Sequence, residues 1–227
     1  MDESWPTTGI ETSFYARHKA EVERLLDRFE AEHVDTRVVR LRPGLIFKRE
    51  AASGIRRLFA GPLLPGFLMQ RRLIPFVPAH ERLVFQAVHS YDAGEAYRLA
   101  IVDDRARGAF NLAADPVLDP DELARALDAR KLRVPGAVLR GGAALTHRLR
   151  LQPSEPGWLD MAFVVPVMDT TRARTELRWQ PKRSSSEALL DLLEGMRDGA
   201  GLDTPPLEPG GAGPLRLREF ASGVGSR

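Results

Sequence analysis

TSFYARHKAEVERLLDRFEAEHVDTRVVRLRPG, residues 12 to 44, decides the fold. Its first part predicts a helix over about 12–32, because Phe14, Tyr15, Val22, Leu25, Leu26 and Phe29 return at helical spacing. Thr12 or Ser13 can cap its start. Thr36 to Leu41 is a β-branched run that predicts a strand, stopped by Pro43-Gly44. A helix followed by a strand is half of a βαβ unit. The residues ahead of it, Met1 to Glu11, hold Asp2, Glu3, a Trp-Pro and a Thr-Thr-Gly, which is loop chemistry. The chain thus enters an α/β fold at a crossover helix. The edge left by such an entry exposes unpaired strand groups and an apolar face.

Working outward, a short helix is expected over Gly54 to Ala60, and short strands over Leu73 to Val77 and Leu83 to Val88. Asp92 to Asp103 reads as a helix with Ala96, Leu99, Ala100 and Ile101 on its apolar side, and Ala109 to Ala113 as a strand. Asp119-Pro120 opens a helix running to about Ala129, with a capping residue followed by proline at the first helical position. Residues 136–150 read as helical. Asp169 is expected to cap a short helix ending near Leu177. Ser184 and Glu187 form a capping box before Leu189, Leu190, Leu193 and Met196. From Asp198 the sequence turns to Gly, Pro and polar residues, the composition of a disordered tail. There is no internal repeat.

The composition is that of a soluble globular protein: 227 residues, 43% hydrophobic, 28% charged, formal net charge +2. A sequence pI of 9.2 keeps nucleic acid weakly in view. The arginines alternate with apolar residues or carboxylates, however, and no binding motif accompanies them, so no nucleic-acid partner is expected. The absence of cysteine excludes disulfides, thiolate zinc sites and a cysteine nucleophile, and fits a reducing cytoplasm. No signal peptide is legible at the N-terminus. Phe59 to Met69, the longest apolar stretch, is broken by two prolines and two glycines, so no membrane span is expected. His18, His33, His80, His89 and His147 are scattered without acidic partners at ligand spacing, which argues against a metal site. Arg71 and Arg72 could clamp a substrate phosphate. A pair of exposed loop arginines is the plainer alternative.

Chemistry enters at Tyr15-Ala-Arg-His-Lys19. Residues four apart share a helix face, so a phenol and an ammonium can share one site. A nearby cation stabilises phenolate, and such a tyrosine can move a proton to or from a substrate hydroxyl while hydride moves to a nicotinamide. Spacing alone makes this a weak signal, since Tyr and Lys on a solvated helix face are common.

The surroundings of that pair add to it. Glu3-Ser-Trp-Pro6, Tyr15-x-x-x-Lys19 and Val39-Arg-Leu-Arg-Pro-Gly-Leu-Ile-Phe47 occur in order. They are followed by Val88-His89 with Asp92 and Ala96, Gly108-Ala-Phe-Asn-Leu-Ala113, and Asp169-Thr-x-x-Ala-x-x-Glu-Leu-x-Trp-x-Pro181. This order resembles the C-terminal part of the extended short-chain dehydrogenase/reductase family, the NAD-dependent epimerases and dehydratases, over residues 1–197. The resemblance implies an incomplete Rossmann-type doubly wound parallel sheet over 1–113, interrupted by a substrate loop around 48–87. A smaller α+β substrate-binding region over 114–197 and a tail over 198–227 would follow. It implies NAD or NADP as cofactor, with Tyr15 as acid/base and Lys19 holding the ribose. Pro43, Gly44, Leu45 and Ile46 would lie against the nicotinamide, although a simple strand-ending turn is the alternative for Pro43-Gly44. Asp92 and Asn111 match positions that are structural. The implied substrate is a small molecule with a hydroxyl or ketone, a nucleotide sugar or alternatively a steroid-like or ketone alcohol. A homodimer through the Tyr15 helix is implied as well.

The chain departs from that pattern. No G-x-x-G-x-x-G follows a strand and opens a helix; Gly136, Gly141 and Gly142 come nearest, without phosphate-binding character. The upstream serine or threonine and the residue choosing NAD or NADP are missing with it. About three or four βα units are expected to be lacking, on the order of 100 residues at roughly 30 per unit. This chain alone is therefore expected to be inactive. Lys48 stands where a glycine is usual, and Tyr91 where a second aspartate often sits. The competing expectation is a short protein that has lost its cofactor site and serves as a binding or interaction module.

Overall fold

A computed structural model describes residues 1–59, 71–152, 154–204 and 207–208. Helix α1 (Phe14–Glu32) starts at Ser13, whose hydroxyl accepts the Ala16 N–H, and strand β1 (Val39–Pro43) follows it. Strand β1 ends at Pro43-Gly44, as expected, but the chain stays extended beyond it. The Gly44 N–H donates to Leu112, and the next residue, Leu45, donates to Gln86 and opens β2 (Leu45–Phe47). The extended chain passes here from one partner to another. A Cβ at position 44 would lie 2.6 Å from the Gln86 carbonyl oxygen, so the crossing point has room only for glycine.

The sheet elements form three parallel pairs: β1 with β5 (Gly108–Leu112), β2 with β4 (Ala87–His89), and β3 (Phe76–Ala79) with β6 (Arg130–Arg133). Val39 stands opposite Gly108 and Leu41 opposite Phe110. Parallel pairing fits the α/β class expected from the sequence. Among the described residues β1 has no strand on its other edge.

The remaining helices are α2 (Ala52–Phe59), α3 (Ser90–Val102), α4 (Pro120–Leu127), α5 (Gly136–Arg148), α6 (Pro156–Ala162), α7 (Thr171–Thr175) and α8 (Ser185–Asp198). Asp119 caps α4, and Ser184 with Glu187 makes the expected capping box on α8. At α7 the capping position falls to Thr170, and the Asp169 carboxylate instead accepts the Thr171 N–H. Three elements were not expected: β2, β6 and α6. Beyond α8, the Leu207 carbonyl accepts the Ser53 hydroxyl, so the chain past Asp198 is not all free tail; residues 209–227 lie outside the described residues.

Two apolar clusters hold these pieces. One joins Phe47, Val77, Leu118, Leu123, Leu189 and Leu192 between β2, β3, α4 and α8. The other joins Val88, Ala96, Phe110, Leu112, Leu177 and Trp179 beneath α3, with Val39 and Leu41 of β1 packed against it. Successive strand residues face opposite ways, so Arg40 and Arg42 point to the other side of β1, where α1 lies. Only Ala20 of α1 is buried. The helix is fastened by charge: Arg40 pairs with Glu23, Asp27 and Glu30, and Arg42 with Glu23 at 2.9 Å.

Candidate functional site

Tyr15 and Lys19 come together on the first turns of α1. The Lys19 ammonium lies 5.7 Å from the Tyr15 ring centre. Among the described residues the Tyr15 hydroxyl has no hydrogen-bond partner and Lys19 has no carboxylate partner. Tyr15 is 38% exposed. Its aromatic neighbour is Trp158 of α6, with ring centroids 4.8 Å apart and planes at 30°. Sequence reasoning missed Trp158. A seven-residue helix is too short to show a helical period, and the Gly157-Trp158 step was the available signal.

Pro43, Gly44, Leu45 and Ile46 form the β1–β2 hand-over. Leu45 and Ile46 are exposed, apolar side chains on otherwise well-paired backbone. Among the described residues no hydrogen bond or ring contact joins these four to Tyr15 or Lys19.

Asp92 and Asn111 are buried and fully engaged. The Asp92 carboxylate accepts the Lys182 and Arg183 N–H groups, and its carbonyl accepts the Trp179 indole N–H. The Asn111 side chain donates to the Asp169 carbonyl, while its own N–H goes to the Glu3 carboxylate. Asp92 ties the first turn of α3, and Asn111 the end of β5, to segments distant in sequence.

His89 has an acidic partner that no ligand spacing in the sequence could show. The ring is buried, with Nε2 3.3 Å from Asp191 and Nδ1 accepting the Tyr91 N–H. Asp191 also accepts the Arg49 N–H. Asp191 lies 102 residues away in sequence, beyond any spacing rule. Lys48 and Tyr91, noted separately as departures from the pattern, meet: the Lys48 ammonium sits 5.0 Å from the Tyr91 ring centre, and the Arg183 guanidinium 5.3 Å. Two unusual residues thus form one cation–π contact.

Arg71 and Arg72 are joined by Arg130 and the exposed ring of Phe76 around an open recess of about 640 Å³. Among the described residues these three arginines have no carboxylate partner. No group of three or more potential metal ligands occurs among the described residues, and no described helix is long and apolar enough to cross a membrane.

Gly136 opens α5, within the helix expected over residues 136–150, with two residues between it and the unexpected strand β6. Gly141 and Gly142 fall inside that helix with open space around them, so the three glycines make no loop.

Burial pushes the Glu23 carboxyl up, but the hydrogen bonds and charge of Arg42 and Arg40 outweigh it and hold the group below its ordinary value. Arg40 is raised: burial opposes its charge, and Asp27 and Glu23 overcome that.

No protein-family model matches the chain. It is 29% identical over 186 residues to the uncharacterized protein Rv2047c of Mycobacterium tuberculosis, covering 82% of this chain and 18% of that one. It is 32% identical over 159 residues to the uncharacterized protein Rv0501 of the same species, covering 68% and 37%. The chain therefore spans well under half the length of these curated relatives. Among solved structures, UDP-glucose-4-epimerase of Stenotrophomonas maltophila, with bound NAD and formylated UDP-arabinopyranose, overlays with a TM-score of 0.56 at 18% identity. The overlay covers 87% of this chain and 58% of the epimerase. MoeE5 in complex with UDP-glucose and NAD gives 0.54 at 17% identity, covering 87% and 59%. At these identities the likeness is one of fold: a partial Rossmann-like α/β architecture.

Proposed function

We propose that this chain carries the acid/base pair and the substrate-binding part of an NAD(P)-dependent epimerase, dehydratase or reductase. Its substrate would bear a hydroxyl or ketone, as a nucleotide sugar does. The observation that carries the reading is the juxtaposition on α1 of a part-exposed phenol and an ammonium 5.7 Å from its ring that has no carboxylate partner among the described residues. In this reading the Tyr15 hydroxyl gives a proton to the substrate oxygen or takes one from it. Lys19 places positive charge beside the phenolate that forms and offers donors to a ribose.

Leu45 and Ile46, exposed beside a glycine that lets backbone come close, suit the face of a flat ring, as Pro43 to Ile46 would need. When bound, a nicotinamide would accept or donate the hydride. The described residues do not fit the other end of such a cofactor. None of them forms a glycine-rich turn between strand and helix, where pyrophosphate would sit. The reading therefore assigns that cradle, and the choice between NAD and NADP, to residues outside this chain, and expects the chain alone to be inactive. The division into 1–113, 114–197 and 198–227 belongs to the same proposal.

Two surfaces support the substrate and partner assignments. Arg71, Arg72 and Arg130 around their recess suit a substrate phosphate. On α1, His18, Val22, Leu25 and Phe29 follow alternating steps of four and three, the stripe by which two helices pack. Val22, Leu25 and Phe29 are 46%, 50% and 41% exposed, which supports a second copy of the chain, packed through the Tyr15 helix, as partner. The same exposure favours the competing reading, an interaction module without catalysis.

Titration of the purified 227-residue protein with NADH tests the assignment. No saturation is expected in the low-micromolar range, which would correspond to about 8 kcal/mol. Tight binding contradicts a cradle outside the chain. A sedimentation series that shows monomer at all concentrations contradicts the homodimer.

A further inference from the structure

The indole of Trp158 stands at the Tyr15 phenol, and the protein holds it there by several independent fastenings. Gly157 lies so close to the start of α1 that a Cβ would come 2.2 Å from the Thr12 carbonyl oxygen. Two residues past the indole, Asp160 accepts both arms of Arg140, at 2.7 and 3.0 Å, and a hydrogen bond from the Thr12 hydroxyl. Ahead of it, the Ser154 hydroxyl donates to the Leu58 carbonyl, which brings in Phe59 at the end of α2. The Phe59 ring meets the indole edge-on at 5.2 Å and Phe14 does so at 6.3 Å. Trp158 is half-buried, while Tyr15 and Phe59 are 38% and 41% exposed. These rings form an open wall rather than a sealed core.

Aromatic faces carry partial negative charge and attract the slightly positive C–H groups of a saturated ring. Lys19 is the one cation placed over the Tyr15 ring among the described residues, and no carboxylate is paired with it there. We propose that Trp158, with Phe59, is the wall on which the substrate ring stacks so that its carbinol or ketone carbon lies beside Tyr15. The ligand class is a saturated ring bearing a hydroxyl or ketone, whether a pyranose or an alicyclic ketone. This inference rests on the reading of Tyr15 as the proton-transfer group and makes Trp158 a residue that determines specificity.

Calorimetric titration of the purified chain with UDP-glucose and, separately, with decalone tests it. At least one of the two should bind saturably. Trp158→Ala should weaken that binding about tenfold, the scale of one aromatic stack, and Trp158→Phe by less than about threefold. Phe59→Ala, at an exposed ring, provides a second variant if Trp158→Ala does not fold, with a loss of about threefold expected. Binding of UDP-glucose identifies a pyranose as the occupant, and binding of decalone an alicyclic ring. Binding of neither, or binding unchanged in Trp158→Ala or Phe59→Ala, overturns the wall. Tyr15→Phe keeps the ring and should leave this binding intact. Ring binding by the purified chain thus tests the wall, whereas the acid/base reading is tested separately, by turnover of the native protein isolated from its source cells.

Discussion

Helices α1 and α3 lie on opposite faces of the same strand pair and are held by opposite means. Helix α3 buries Ala93 and Ala96 against Phe110, Leu112 and Trp179, and its Asp92 accepts N–H groups of the loop before α8. Helix α1 buries one alanine and is fastened through Glu23, Asp27 and Glu30 to Arg40 and Arg42. Apolar burial is insensitive to pH and salt, whereas ion pairs at partly exposed sites respond to both. The helix that bears the candidate chemistry is therefore the one whose docking can be loosened without disturbing the core. The Arg40 Nε, buried without an acceptor among the described residues, shows that the ionic side is imperfectly satisfied as well.

The largest effect is expected on the apolar side. Trp179→Ala removes a fully buried indole and its bond to the Asp92 carbonyl, and should cost about 3–5 kcal/mol in denaturant unfolding. A loss under about 1 kcal/mol would mean that this face is not the better packed of the two. Arg40→Ala leaves Asp27 and Glu30 of α1 without their arginine, with Glu23 still held by Arg42, and should cost about 1–2 kcal/mol. Hydrogen exchange should show the loss in α1 amides, with α3 protection unchanged. Equal loss in both helices would show that they unfold as one unit.

Acid should act in the same direction as Arg40→Ala and more weakly. The Glu23 carboxyl is held below its ordinary value, so its contribution is fully present above about pH 4.3 and is lost as pH falls through the folded value. Between pH 5 and 3, α1 amides should lose protection before those of α3. Added salt at neutral pH should do the same in part. The smallest effect belongs to Leu25→Ser, at an outward position of α1 that is 50% exposed. Monomer stability should change by less than about 0.5 kcal/mol, and a larger loss would show that this stripe is covered.

Much of the fold was legible where periodicity is strong. The apolar returns in α1, the β-branched run of β1, the capping box of α8 and the alanine face of α3 are each set by local chemistry. What escaped has physical reasons. Strand β6 reads Arg-Lys-Leu-Arg and is exposed throughout, so it has no buried alternate residues to betray it. Strand β2 has three residues and helix α6 seven, both below the length at which a period can be counted. The stop at Pro43-Gly44 was legible because proline and glycine signal turns, but only the neighbouring Gln86 carbonyl reveals that the chain goes on, still extended, to a second partner strand. At the candidate site, Tyr15 and Lys19 could be paired because they are one helical turn apart. Trp158 and the His89–Asp191 contact could not, because folding alone brings them to their partners.

The most direct test of the central claim is turnover by the native protein isolated from its source cells, compared with the same protein carrying Tyr15→Phe. Exchange of hydride between nicotinamide and a hydroxyl or ketone substrate should fall at least about a hundredfold in the variant, the scale of a lost proton-transfer group. Cofactor affinity should stay within about threefold, because the substitution removes one hydroxyl and keeps the ring. Unchanged turnover, or loss of turnover and cofactor binding together, would contradict Tyr15 as the acid/base and leave α1 a structural and interaction helix.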